Sequence, residues 1–140
     1  MEYSKKEMEL ITTLSKCEDI EDASKYYDKL LIYRKEIFNE PDFIDLSKQL
    51  EAFSHIDRIL ILRILMKKDR CVCELEAILG KSQSNISYHL RILENLNLIK
   101  GWKKGKFTHY SVVQKSLENF KDLFNNWISD EIFKQNTNAF

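Results

Sequence analysis

Between residues 73 and 113 the chain runs a short apolar segment, a glycine, an amphipathic segment and a lysine-rich turn in immediate succession, an order few folds accommodate. Residues 73–79 read as a short helix closed by Gly80, which suits a left-handed cap. Ser82 offers an N-cap for a second helix running to about Asn95. Residues 96–99 lead into extended chain, and residues 102–107 read as a β-hairpin tip with Gly105 in the turn. The return strand alternates Thr108, Tyr110 and Val112 against His109 and Ser111. Two helices around a brief turn make a helix-turn-helix, and a basic hairpin directly after it makes a winged helix.

The flanks read as helix. With 3 glycines and 1 proline in 140 residues, tight turns are few and a loop-rich or disordered chain is excluded. The first 40 residues carry Met8, Ile11, Leu14, Tyr26, Tyr27, Leu30, Leu31, Ile37 and Phe38 at helical spacing. Pro41 suits the first turn of a new helix bearing Phe43, Ile44, Leu46, Leu50 and Phe53. Ser54 with Asp57 three residues on matches a capping box, which starts a helix carrying Ile59, Leu60, Leu62, Ile64 and Leu65 and ending at Lys67 and Lys68. Leu117, Phe120, Phe124, Trp127, Ile128 and Ile132 form the apolar stripe of a last helix. The expected fold is mainly α, a winged helix-turn-helix with one β-hairpin wing. It is read as a single domain over 1–140, with parts 1–53, 54–113 and 114–140.

The formal net charge is zero, yet the charges are segregated. Residues 81–113 hold Lys81, Arg91, Lys100, Lys103, Lys104 and Lys106 against Glu94 alone, while residues 1–57 are acidic. Such asymmetry points to a polyanionic partner. If Ile86, Leu90 and Leu93 are buried, the opposite face of that helix shows Ser84, Tyr88, Arg91 and Asn95. Asn85 and Ser87 flank it, and Gln83 lies in the first turn. This is the chemistry a DNA major groove reads: Gln and Asn pair with adenine, Arg with guanine, Ser with either or with phosphate. Lys103, Lys104 and Lys106 on the wing suit backbone phosphates. His89 suits a buried role as well as a DNA contact, and His109 is expected to be exposed. No apolar run approaches the roughly 18 residues of a membrane span, and the first residues lack a signal-peptide core, so a cytoplasmic protein is expected. There is no phosphate loop, no zinc-protease helix and no Cys-His-acid arrangement to suggest an enzyme.

Three strings together resemble the ArsR-type (ArsR/SmtB) winged-helix repressors. They are residues 58–65 (RILILRIL), 71–75 (CVCEL) and 79–90 (LGKSQSNISYHL). The resemblance covers roughly residues 50–113. It implies a homodimer that binds an inverted-repeat operator in double-stranded DNA, held together by its first and last helices. Residues 1–53 and 114–140 would then be dimerisation regions. It carries over Ser82, Gln83, Ser84 and Ser87 as DNA contacts, and the wing lysines only as charge. In many members a soft metal or metalloid releases the DNA.

Cys71 and Cys73 are the natural ligands for such an ion. Thiolates select cadmium, lead, zinc, copper(I) or trivalent arsenic. Residues two apart on a regular helix diverge by about 200°, so the pair converges only if Cys71 precedes the helix. Arg70 and the helix start should lower their thiol pKa values. In the family's arsenic pattern a third cysteine follows, where this chain has Glu76; in another, a cysteine from the partner's N-terminal region joins, a part open to Cys17. No histidine follows Val113, so the family's last-helix metal site is not expected. Competing readings are a thiol redox sensor, a packing pair with no ligand, and a winged-helix module that binds protein instead of DNA.

Overall fold

The computed structural model describes residues 2–133, with side chains described through residue 129. The chain divides into two compact units, Met1–Phe43 and Ile44–Phe140, where the sequence suggested one domain with a regional boundary after residue 53. Residues 134–140 and the Ile132 side chain, assigned from sequence to the last helix and its stripe, lie outside the described residues.

The N-terminal unit holds α1 (Lys5–Leu14) and α2 (Ala23–Phe38), so the expected run of helix is interrupted. Capping chemistry accounts for the interruption. Ser4 and Glu7 form a reciprocal capping box at the start of α1. The Asp22 carboxylate accepts from the Lys25 N–H at 3.0 Å and starts α2. Before it, the Ser15 hydroxyl donates to the Thr12 carbonyl at 2.6 Å, one of the local bonds by which serine competes with helix continuation. Tyr3 packs edge-on against Tyr27 and donates to Asp28, tying the chain start to α2.

Apart from Phe43, the last residue of the first unit, the C-terminal unit contains α3 (Phe43–Ala52), α4 (Ile56–Lys67), β1 (Arg70–Cys71), α5 (Val72–Leu79), α6 (Gln83–Asn95), β2 (Ile99–Lys104), β3 (Phe107–Val112) and α7 (Gln114–Phe133). The expected winged helix is present, with a third strand that the sequence reading missed: β1 pairs antiparallel with β3, giving the order β1-β3-β2. A two-residue strand is too short to show periodicity. Gly80 closes α5 at φ +64° and Gly105 opens the hairpin turn at φ +62°, the left-handed backbone both turns require. The helix expected from residue 73 starts at Val72, with Cys71 as its N-cap. Pro41 lies two residues ahead of α3 instead of in its first turn.

The cap of α4 is also displaced from the expected one. His55, not Ser54, is the N-cap, and its Nδ1 accepts from the Asp57 N–H at 3.1 Å. The Ser54 hydroxyl instead donates back to the Glu51 carbonyl at 2.6 Å, satisfying the end of α3. Ile61, Leu62 and Leu65 of α4 meet Leu75 of α5, Ile86, Leu90 and Leu93 of α6, and Leu98 and Ile99. Each is at most 2% exposed, and together they form one core beneath the helix-turn-helix. Phe53 stacks on Phe120 at 4.5 Å, joining the end of α3 to α7. No helix of the described residues is long and apolar enough to cross a membrane.

Candidate nucleic-acid interface

The apolar stripe of α6 dictates what its other side presents. Ile86, Leu90 and Leu93 are buried, so Gln83, Ser84, Tyr88, Arg91 and Asn95 stand exposed. Ser82 is the N-cap; its hydroxyl accepts from the Asn85 N–H at 3.2 Å and lies 3.2 Å from the Ser84 hydroxyl. Asn85 and Ser87 are half-buried, and the Asn85 Oδ1 is buried with no hydrogen-bond partner in the chain. Beside this face rises the wing. Lys103 and Lys104 on β2 and Lys106 in the turn are exposed, and no ion pair among the described residues engages them. The wing is braced by Trp102, which stacks on His109 at 4.9 Å and donates from Nε1 to the Ser111 hydroxyl at 2.8 Å. His109 is therefore half-buried, not exposed as the sequence suggested, because an aromatic partner across the strand pair covers it.

Sequence reasoning missed how α6 is anchored. His89, on the buried side of α6, is 2% exposed. Its Nδ1 lies 3.2 Å from Nη1 of Arg58, which is itself 8% exposed. A guanidinium only donates, so Nδ1 accepts and the neutral ring carries its proton on Nε2. The other arms of Arg58 donate to the Ala52 carbonyl at 2.6 Å and the Glu51 carbonyl at 3.3 Å. One side chain thus caps α3 while holding α6 to α4. The Nε2 of His89 faces Asp57 Oδ2 at 3.6 Å, beyond hydrogen-bond reach, and is buried without a partner. The exposed His55 completes the group, its Nδ1 3.9 Å from the same Oδ2 and its ring 4.4 Å from that of His89. Burial pushes the His89 imidazole below its ordinary pKa, and His55 and Arg58 push the same way against Asp57. The sequence signal for this network was an arginine and an aspartate side by side at the start of an apolar helix, where charges need partners.

The thiols meet the geometric condition set for them. Cys71 sits before the helix in extended backbone, as the N-cap of α5. Cys71 is buried, Cys73 and Cys17 are exposed, and Cys17 belongs to the N-terminal unit. The expected lowering of thiol pKa is reversed at Cys71, where interaction of its protonated thiol with Cys73 and burial both push it up. Arg70 does not serve the thiol, since its Nη1 donates to Glu74 at 2.7 Å and holds that carboxyl down to about 2.

A family model for bacterial regulatory proteins of the arsR family matches residues 57–100. The chain is 36% identical over 70 residues to a cadmium resistance transcriptional regulatory protein CadC homolog of Staphylococcus aureus, covering 49% of this chain and 58% of that one. It is 36% identical over 64 residues to an uncharacterized HTH-type transcriptional regulator of Methanocaldococcus jannaschii, covering 45% of this chain and 72% of that one. Among solved structures, a possible transcriptional regulator for arsenical resistance superposes with a TM-score of 0.54 at 28% identity, over 64% of this chain and 97% of that one. The match thus spans a little over half of the cadmium regulator's length.

Replacing Arg58 by alanine strands the Ala52 carbonyl and the His89 ring at once, while the Glu51 carbonyl keeps its bonds from Ser54. It should cost about 2 kcal/mol or more, at roughly 1–3 kcal/mol for each buried group left unpaired. Urea unfolding measures this, and a loss below about 1 kcal/mol would show that the network does not hold α6.

Proposed function

This chain belongs to the ArsR family of bacterial regulatory proteins, and we propose that it acts as a dimeric, sequence-specific DNA-binding repressor, a regulator and not an enzyme. The observation that carries this reading is the exposed polar face of α6 beside a cationic wing. Ser82, Gln83, Ser84, Tyr88 and Arg91 are presented together by a helix whose other side is locked in the core. An α-helix fits the B-DNA major groove, and Gln and Arg make two-point contacts with adenine and guanine. The N-terminal amides of α6 suit a phosphate, as do Lys103, Lys104 and Lys106. Asn85 and Ser87, half-buried at the rim, serve as secondary contacts.

Dimerisation is supported by apolar surface on the flanking helices. Met8, Leu10, Ile32 and Phe38 in the N-terminal unit and Trp127 on α7 are all at least 40% exposed. Two α6 helices one turn of DNA apart, about 34 Å, would read an inverted repeat.

A soft metal or metalloid ion is the effector this reading assigns, with Cys71 and Cys73 as ligands and Cys17 of a second copy as a third. The place of Cys71 ahead of the helix that carries Cys73 supports it, as does the name of the cadmium-resistance relative. Cadmium, lead, zinc, copper(I) and trivalent arsenic all suit such donors. The raised Cys71 thiol must lose its proton on binding, so affinity should climb with pH.

Gel shifts on specific and random duplexes test the DNA reading. Gln83→Ala should cost about 1–3 kcal/mol on the preferred sequence and little on random DNA. Lys103→Ala or Lys104→Ala should weaken both alike and reduce the salt slope by about 1. Equal losses everywhere for Gln83→Ala would remove its base-reading role. For the effector, cadmium should raise thiolate-to-metal ultraviolet absorption in the wild type and not in Cys71→Ser; an unresponsive wild type would remove the thiol sensor.

A further inference from the structure

DNA reading leaves one cluster of chemistry unused, at the start of α4 beneath α6. His55, Asp57 and His89 each offer one donor atom, and these atoms all lie within 4.8 Å of one another. His89 and Asp57 are buried while His55 is exposed, so the group has one solvent-facing edge. The Nε2 of His89 has no hydrogen-bond partner although its residue is 2% exposed. A buried nitrogen facing a carboxylate that is out of hydrogen-bond reach is a gap that a cation would fill. We propose that His55, Asp57 and His89 form a binding site for a late first-row divalent cation of the zinc and cobalt class, separate from the thiols.

The spacing fits such an ion. Zinc binds histidine nitrogen and carboxylate oxygen at about 2.0–2.2 Å, so two donors at a tetrahedral angle stand about 3.3–3.6 Å apart. Asp57 Oδ2 and His89 Nε2, 3.6 Å apart, already match that spacing. His55 Nδ1 is 3.9 Å from the same Oδ2 and all three atoms lie within 4.8 Å, so the exposed His55 ring must move in by on the order of 1 Å to join them. Two nitrogens and one oxygen suit zinc or cobalt. Magnesium and calcium ask for oxygen alone, and soft ions prefer the thiols. Water at the open edge would be the fourth ligand.

Occupancy would also reach α6. Coordination through Nε2 moves the single ring proton of the neutral imidazole to Nδ1. That N–H then faces Nη1 of Arg58, donor against donor. Arg58 must release His89 while Nε and Nη2 stay on the Ala52 and Glu51 carbonyls, and His55 must release the Asp57 N–H to free the one lone pair of Nδ1 for the ion. The ion therefore replaces an arginine link to α6 with a metal link, and the nearby guanidinium charge keeps the site weaker than a closed structural zinc centre.

Cobalt(II) titration of the full chain carrying Cys17→Ser and Cys73→Ser, which removes both exposed thiols, tests this without DNA. One equivalent should give the visible ligand-field bands of a low-symmetry nitrogen and oxygen site, without intense near-ultraviolet thiolate absorption. His55→Asn keeps a side chain able to cap α4, so it should leave the circular dichroism and thermal melt unchanged. It should weaken cobalt binding at least tenfold, the loss of about 10–100-fold typical even for an outer-shell partner, and Asp57→Asn should do the same. No uptake, undiminished uptake in His55→Asn, or a thiolate band from Cys71 would each overturn the site. Because the readout is spectroscopic, failure here leaves the DNA reading standing, and failure of DNA binding leaves this site standing.

Discussion

Burial of three residues on one side of α6 governs the rest of the molecule. Ile86, Leu90 and Leu93 are wholly enclosed by α4, α5 and the start of β2. At roughly 1.5–3 kcal/mol for each such side chain taken out of water, this face has no competitor for the core. Its orientation then follows: the serines, Gln83, Tyr88 and Arg91 have nowhere to go but outward. Function at this surface is a by-product of packing, since the same apolar stripe that folds the unit aims the polar one.

Packing alone sets which side faces in, but not how far the helix is free to slide or roll. Arg58 supplies that restraint. Its three hydrogen bonds join the last turn of α3 to α6 through the ring of His89, all within a region largely closed to solvent. An apolar contact tolerates small shifts, whereas a guanidinium fork is directional. The wing has its own brace in the Trp102 and His109 stack and the Trp102 bond to Ser111, which set the lysines beside α6. Reading head and wing are thus each held by a polar device resting on a shared apolar base.

Much of this was legible in the residues themselves, because it rests on local rules. Gly80, Ser82 and Gly105 mark turns whose backbone only certain side chains tolerate, and the stripe on α6 repeats at helical spacing. Reading the short helix from residue 73 already left Cys71 ahead of it, where the structure has it as the N-cap of α5. What escaped depends on partners far along the chain. The Arg58 and His89 pair is separated by 31 residues, and the shift of the α4 cap from Ser54 to His55 came from a hydroxyl drawn back to Glu51. The Cys71 thiol went against expectation because burial and a neighbouring thiol outweigh the arginine, which Glu74 had already claimed. In the N-terminal unit the break between α1 and α2 had a visible signal in Asp22, obscured by apolar residues continuing at helical spacing on both sides.

The central claim is that the outward side of α6 enters the major groove of duplex DNA. A photo-crosslinking side chain placed at Ser84, exposed and pointing away from the core, tests it most directly. Irradiation with a bound duplex should join position 84 to a base in the major groove, and the joined base should recur at one place in each half of the bound sequence. Crosslinks only to a second copy of the protein, or none while the DNA remains bound, would contradict the account.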